Sequence, residues 1–166
     1  MQSLCEYEMI NFEDKNVVLE ALIEVFPIER HDEVSIDLIN IYEGDGVYYF
    51  FHGVTWHDLI KKLDFKLHGD VLEKGCFYLS KNDFIYYIPL YIYASIVNFE
   101  GWAFEYSFFI HYLTPDVMGE YDYFCFTNAF SEVQRVLIYE FIVYKMEKKN
   151  DLLASDAFNK FWCLYS

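Results

Sequence analysis

The stretch FIYYIPLYIYASIVNF, residues 84–99, carries no charged side chain in a chain whose formal net charge is −15. Such a run could be a membrane span, a buried helix or part of a cofactor pocket. A span needs about 20 apolar residues, whereas this run has sixteen positions and includes Pro89 and four tyrosines. Each tyrosine hydroxyl would need a hydrogen-bond partner that lipid does not offer. We therefore predict a buried core helix over residues 81–97, bent at Pro89, with Ser80 as its N-cap and Asp83 three residues later.

The composition is typical of a globular protein. Aromatic residues make up 22% of the 166 residues, and the chain has only seven Gly and three Pro. This size suits one domain with a substantial core, so residues 1–166 are predicted to form a single globular domain. The negative charge disfavours direct binding to nucleic acid or to an anionic membrane and favours basic partners.

The four cysteines, Cys5, Cys76, Cys125 and Cys163, are far apart and form no CxxC pair. The N-terminal sequence shows no basic region followed by an apolar run, which a signal peptide would need. Reduced thiols without an export signal indicate a cytoplasmic protein, in which cysteines most often fill the core.

Helix signals occur in four further segments. The segment 130–149 has apolar residues on almost every side, so it is predicted to be a second central helix that packs against helix 81–97. A helix is also predicted over 12–26, with Glu13 and Asp14 in its first turn and Pro27 after its end. Another is predicted over 55–63, with Thr55 as its N-cap. A short C-terminal helix over 154–166 is predicted to pack on the core through Phe158, Phe161 and Trp162. Segment 130–149 itself begins with a capping box of Ser131 and Gln134.

Two short β elements are also predicted. Val34, Ile36 and Leu38 alternate with polar residues, and the Gly44-Asp45-Gly46 turn leads into a β-prone run, which favours a hairpin. Residues 77–79 read as a short strand that enters the core. The predicted fold class is mainly α: a compact helical domain around two hydrophobic central helices, with a minor short β element.

No residue pattern indicates catalysis. His52 and His57 are five residues apart, which is the wrong spacing for paired ligands on a helix, and no HExxH or CxxC motif accompanies them. Cys76 is flanked by apolar residues, and a buried thiol is inert. GxSxG, Walker and GxGxxG motifs are absent from the sequence. We therefore predict no enzyme, with no catalytic, metal-binding or cofactor-binding residues and no cofactor.

The acidic residues fall in two blocks. Residues 1–45 contain twelve acids and two bases, while seven acids and no base lie between Lys81 and Arg135. Acids and aromatics are neighbours there, in EGWAFEY (100–106) and GEYDYF (119–124). A simple solvated face would include lysines that relieve self-repulsion. The pattern favours an interface in which acids steer a cationic partner and aromatics anchor it.

A plain acidic surface and an acidic site for a small cation or metal are the alternatives to such an interface. The residues predicted to bind the partner are Asp32, Glu33, Asp37, Glu43, Asp45, Glu100, Glu105, Asp116, Glu120, Asp122, Tyr121 and Tyr123.

The sequence FYLSKNDFIYYIPLYIYASI, residues 77–96, resembles the F-x-L-[ST]-x-x-x-F-x-Y-Y-[IL]-P-x-Y signature of a family of small, uncharacterised bacterial proteins. Trp56 matches a Trp-bearing helix before that signature, and Ser131 with Gln134 matches an S/T-x-x-Q helix start after it. The resemblance spans residues 50–145 and implies a mainly helical fold without catalytic residues. The matched positions are Phe77, Leu79, Ser80, Phe84, Tyr86, Tyr87, Pro89 and Tyr91.

In size and charge the chain also resembles the immunity proteins of bacterial toxin systems, including contact-dependent growth inhibition. Those proteins are small, acidic and cytoplasmic, and many cover the active site of a basic nuclease toxin. We therefore expect a non-enzymatic immunity protein whose partner is a basic toxin domain, with no direct nucleic-acid or membrane partner. The alternatives are an intracellular enzyme or small-ligand-binding protein that uses the aromatic core as its pocket, and an acidic mimic of nucleic acid.

Overall fold

The computed structural model describes residues 9–30, 41–97 and 103–166, with side chains from residue 46 onward in the second range. These ranges are mainly helical and contain no strand. The helices are α1 (Lys15–Val25), α2 (Ile41–Phe51), α3 (Trp56–Lys62), α4 (Phe65–Tyr78), α5 (Lys81–Val97), α6 (Ala103–Phe108), α7 (Glu120–Asn128), α8 (Glu132–Lys149) and α9 (Leu152–Lys160). A π-helical turn, Phe109–Leu113, follows α6, and a 3₁₀ turn, Trp162–Tyr165, follows α9.

The predicted β elements are wrong where the structure describes them. The turn at Gly44-Asp45-Gly46 and the run after it form α2, because Val47 and Phe51 lie one helical turn apart and are both buried. Residues 34–38, the other half of the predicted hairpin, lie outside the described residues. Of the predicted strand at 77–79, Phe77 and Tyr78 end α4, in which Leu72 and Cys76 are buried on one face, and Leu79 is the extended C-cap of that helix.

The predicted caps at Thr55 and Ser131 are confirmed. The Thr55 hydroxyl accepts a hydrogen bond from the Asp58 amide at 3.1 Å. Ser131 and Gln134 form both bonds of a capping box, at 3.3 and 3.0 Å. The predicted start of α1 is wrong, because Asp14 is the N-cap and Glu13 precedes it, so neither acid lies in the first turn. The helix ends at Val25 ahead of Pro27, as predicted.

Helix α5 is the buried helix that the sequence predicts. Ten of its seventeen residues are buried, including Pro89. Within the described ranges, no helix has both the length and the apolar character needed to cross a membrane. In the folded chain α5 packs chiefly against α3 and α1, so its uncharged surface is covered by protein.

Three of the four α5 tyrosines bond to backbone carbonyls of other segments. Tyr86 donates to the Ile28 carbonyl at 2.6 Å. Tyr91 donates to the Leu72 carbonyl in the middle of α4 at 2.7 Å. Tyr87 shares its proton between the carbonyl oxygens of residues 51 and 54, both 2.7 Å away. These hydroxyls satisfy buried carbonyls and at the same time fix α5 against its neighbours.

A buried charge pair closes the N-terminal end of α5. The Arg30 guanidinium forms an ion pair with Asp83, whose side chain is buried, and lies 5.0 Å from the centre of the Tyr86 ring. Asp83 also accepts a hydrogen bond from the Ser80 hydroxyl at 2.7 Å, while the Asp83 amide donates to Ser80 Oγ at 3.2 Å. The segment after α1 is therefore tied to the start of α5 by charge as well as by the Tyr86 hydrogen bond.

Helix α8 differs from the predicted apolar central helix. It packs most closely against α9 rather than α5. Val133 and Val136 are exposed, whereas Glu140 and Lys145 are buried. The Ile10 amide donates to Glu140 Oε2 at 3.3 Å, and burial raises the pKa of that carboxyl. Polar side chains on this helix turn inward because they have partners there.

The ion pairs of Lys145 join α6, α8 and α9. Its ammonium group contacts the buried Glu105 carboxylate on α6 and lies 3.3 Å from Asp151 Oδ2. Asp151 also caps α9 by accepting hydrogen bonds from the Leu153 and Ala154 amides. Burial raises the pKa of Glu105, and the neighbouring ammonium opposes that rise.

The contact between α4 and α5 requires glycine at position 75. A Cβ atom on Gly75 would collide with the Tyr91 hydroxyl and lie 3.2 Å from two ring atoms of Phe51. Gly75→Ala should lower the free energy of unfolding by about 2 kcal/mol through overpacking, although alanine favours a helix by about 1 kcal/mol. In a Tyr91→Phe background the same change should cost less, because the colliding oxygen is gone. Denaturant unfolding of the parent, the two single variants and the double variant measures the coupling between positions 75 and 91. A Gly75→Ala variant as stable as the parent would contradict the close contact at Gly75.

The buried carboxyl of Glu140 should make stability depend on pH. Because its pKa is higher in the folded than in the unfolded chain, the folded state binds the proton more tightly. The free energy of unfolding should therefore fall as pH rises from the model-peptide value, about 4.3, through the raised folded pKa. Glu140→Gln keeps an acceptor for the Ile10 amide and removes the charge. Its unfolding free energy, measured by denaturation from pH 4 to 8, should fall less steeply than that of the parent, and an unchanged slope would refute this origin.

Candidate partner-binding surface

Half of the residues predicted to bind a partner have side chains that lie outside what the structure describes. For the first acidic block, the interface therefore stays a prediction. Glu43 and Asp45 belong to α2, but the structure does not describe their side chains. Residues Asp32, Glu33, Asp37 and Glu100 fall in the ranges 31–40 and 98–102, which are outside the described part of the chain.

Two of the predicted residues have side chains that face the core and not solvent. Glu105 is buried in its ion pair with Lys145. Tyr123 is fully buried; its hydroxyl donates to the Tyr112 carbonyl at 3.1 Å and accepts a hydrogen bond from Trp162 Nε1 at 3.2 Å. Both side chains are needed inside the fold, because each satisfies a buried polar partner.

The other predicted residues of the second block lie on or beside α7. This helix buries Tyr123, Phe126 and Thr127, which occupy a narrow arc of its circumference. The rest of the helix is exposed. We call its exposed surface the α7 face, made of Glu120, Tyr121, Asp122, Phe124, Cys125 and Asn128.

The α7 face is apolar at its centre and acidic at its edges. Tyr121 is 79% exposed and Phe124 is 55% exposed, and their i, i+3 spacing places both rings on one side of the helix. At 100° per residue, Glu120 and Asp122 lie on opposite sides of this pair. Two large aromatic side chains that are exposed together on a helix whose inner side is buried are typical of a binding surface.

Phe124 and Cys125 were not predicted to belong to this surface, because no helix was predicted at 120–128. The start of α7 has no side-chain cap; Gly119 precedes it with φ of 83°. The i, i+3, i+4 spacing of Tyr123, Phe126 and Thr127 was the one signal that could have revealed the helix and its exposed side.

Folding neutralises much of the second acidic block. Bases from outside the block pair with four of its acids: Arg30 with Asp83, Lys145 with Glu105, Lys160 with Asp116 at 2.7 Å, and Lys81 with Asp122 at 3.8 Å. Glu120 and Glu132 form no ion pair with any described residue. The Lys81–Asp122 pair is exposed on both sides, so it contributes little and can exchange for a partner's charge.

Several of the described histidines and cysteines have contacts inside the fold. His68 Nδ1 accepts the Asp64 amide at 3.0 Å, and His52 stacks on Tyr48. Burial raises the pKa of the Cys76 thiol well above its ordinary value, so the thiol stays protonated. Among residues 9–30, 41–97 and 103–166, no three His, Cys, Asp or Glu side chains form a group that could hold a metal ion.

Only one of the described cysteines fills the core as predicted. Cys76 is buried, whereas Cys125 is exposed on α7 and Cys163 is half-buried. All three are free thiols.

The chain matches no protein-family model, and neither a curated protein nor a solved structure is similar to it.

The two neighbouring tyrosines of α7 should respond differently to substitution. Tyr123→Phe removes a hydroxyl that bonds two buried groups, so the free energy of unfolding should fall by about 1–2 kcal/mol. Tyr121→Ala removes an exposed ring and should change it by less than about 0.5 kcal/mol. Denaturant unfolding of both variants tests the assignment of one residue to the core and the other to the surface. A Tyr121→Ala variant destabilised as much as Tyr123→Phe would contradict it.

Proposed function

We propose that this protein is a non-enzymatic immunity protein, which neutralises a basic nuclease toxin by binding it through the α7 face. The observation that carries the proposal is the exposure of Tyr121 and Phe124 on one side of α7, with Glu120 and Asp122 at its edges. Interfaces commonly place aromatic anchors at the centre and charged groups at the rim.

The support beneath α7 favours binding without rearrangement. Tyr123 and Trp162 hydrogen-bond to each other and to the carbonyls of Tyr112 and Leu113. The Tyr123 ring also packs edge-on against Phe161 at 4.7 Å between centroids. A helix held in this way presents its exposed rings in a fixed position, and less side-chain and backbone entropy is lost on association.

The charge of the protein suits a basic partner. A net charge of −15 attracts a cationic domain over the Debye length, about 8 Å at physiological salt, and speeds the encounter. At contact, Glu120 offers a carboxylate that no described base neutralises. A nuclease binds phosphates through a cationic site, which makes its active site a complementary surface for these acids.

An interface and an active site should respond in opposite ways to substitution of surface charges. Glu120→Lys with Asp122→Lys should abolish protection, because each reversal replaces attraction by repulsion. Tyr121→Ala alone should weaken binding by about 2 kcal/mol, roughly thirtyfold, if it is a hot spot. The probe is a basic nuclease toxin domain, chosen by screening such domains for one whose toxicity the parent protein suppresses. The readouts are survival of cells that express it and its affinity for each variant.

The matched control is Glu20→Lys with Glu24→Lys. These two exposed acids lie one turn apart on α1, so the control changes the net charge by the same amount on one helix. It should keep protection, with each fold verified by circular dichroism. If the α7 reversals protect as well as the parent does, or if His52→Ala or His57→Ala in a folded protein abolishes protection, binding through the α7 face is refuted.

A further inference from the structure

A cleft of about 690 Å³ opens between the start of α1 and the ends of α3, α5 and α8. This volume is within the range of small-molecule sites, roughly 300–1,000 Å³. None of the residues of the α7 face lines it. The cleft is therefore separate from the surface that we propose for toxin binding.

The inner lining of the cleft is apolar and rich in aromatic rings. Phe12 and Ile60 are buried and form its floor, and Phe12 stacks on Tyr144 with ring centroids 5.3 Å apart. The other apolar or aromatic lining residues are partly buried: Leu63, Phe65, Tyr93, Ile96 and Val97. Apolar surface that stays open to water in a concave site is typical of a ligand-binding groove. A flat aromatic molecule suits this lining, because ring faces and edges provide favourable stacking contacts.

The charges that line the cleft sum to zero, in a protein that is otherwise strongly acidic. Two acids, Glu13 and Asp14, and two bases, Lys15 and Lys149, belong to the lining. Lys149 donates to Glu13 Oε1 at 3.2 Å, so these two charges are already paired with each other. Asp14 Oδ1 accepts the Asn16 amide at 2.9 Å and is committed to the N-cap of α1.

The four charged side chains lie at the solvent edge of the cleft. All of them are exposed, whereas the floor is buried. Lys15 forms no ion pair with a described residue, but its exposed ammonium group is hydrated and screened by salt. An ion that moved onto the apolar floor would lose its own hydration, and the balanced lining offers no excess of opposite charge to offset that cost. The lining therefore favours an uncharged ligand.

We propose that this cleft is a binding site for an uncharged aromatic molecule. Its ring system lies among Phe12, Phe65 and Tyr144 and against the apolar end of α5, while the charged side chains stay in solvent around it. Binding removes aromatic and apolar surface from water, which drives the association. The site does not depend on the α7 face, so this proposal and the proposed function succeed or fail separately.

Three fluorescent probes that share one ring system test the preference for an uncharged ligand. N-phenyl-1-naphthylamine is uncharged, 8-anilinonaphthalene-1-sulfonate is its anionic derivative, and the third probe carries a trimethylammonium group in place of the sulfonate. The folded protein should bind the uncharged probe at one saturable site, and roughly threefold or more tighter than either ion. Lys15→Glu should leave the affinity for the uncharged probe unchanged and should shift the ratio of the two ion affinities toward the cation, roughly threefold or more.

A substitution inside the cleft locates the bound probe. Ile96→Trp fills the cleft and should weaken the uncharged probe by on the order of tenfold or more. Leu152→Trp is the matched control, because it adds the same ring at a position that is 83% exposed on α9, and it should bind like the parent. Circular dichroism verifies the fold of each variant.

Methyl NMR signals of the parent give a second test that needs no substitution in the cleft. On addition of the uncharged probe, the signals of Ile60, Leu63 and Ile96 should move, because ring currents act on methyl groups in contact with the bound ring, and that of Leu152 should not. The proposal is overturned if the uncharged probe shows no saturable binding, if either ion binds as tightly as it does, if a folded Ile96→Trp protein binds it unchanged, if Lys15→Glu weakens it, or if the three cleft signals stay in place.

Discussion

The fold depends on the need of buried tyrosine hydroxyls for acceptors. An unpaired hydroxyl in an apolar core costs about 1–3 kcal/mol, and α5 introduces several of them into the centre of the protein. The structure meets this need with backbone carbonyls of the segment after α1, the end of α2 and the middle of α4. Each of these hydrogen bonds forms only when the neighbouring segment holds one particular position relative to α5. The tyrosines therefore select a single arrangement from the many that would bury the same apolar area.

Hydrogen bonds from buried aromatic side chains to backbone carbonyls also support α7. Tyr112 donates to the Cys76 carbonyl at 3.2 Å, Tyr123 donates to the Tyr112 carbonyl, and Trp162 donates to the Leu113 carbonyl. This chain of bonds links α4, the π-helical turn, α7 and the C-terminal 3₁₀ turn. The α7 face is thus exposed on a support that extends into the core, which explains how a nine-residue helix can carry two large aromatic side chains in water.

Charge in this protein is organised at two levels. The excess of acids gives a long-range field that favours cationic partners, while the individual carboxylates are mostly committed to local contacts. Asp83 and Glu105 are buried in ion pairs, where losing the basic partner would leave an uncompensated charge. The exposed Glu120 is available for recognition.

Local patterns in the sequence predicted the parts of the fold that depend on neighbouring residues. The caps at Thr55 and Ser131 are examples, because each is completed within three residues. The sixteen uncharged positions predicted a buried helix, because burying a tyrosine-rich run in protein is the arrangement that satisfies its hydroxyls.

Tertiary structure decided which residues are exposed. In local sequence Glu105 and Tyr123 are indistinguishable from the exposed Glu120 and Tyr121. They are buried because Glu105 pairs with Lys145 and Tyr123 hydrogen-bonds to Trp162, and both partners are distant in sequence. The glycines of α2 favoured a turn locally, but burial of Val47 and Phe51 outweighed that preference. The free energy of a buried ion pair or a packed ring comes from partners that are not adjacent in the chain, and local spacing does not reveal them.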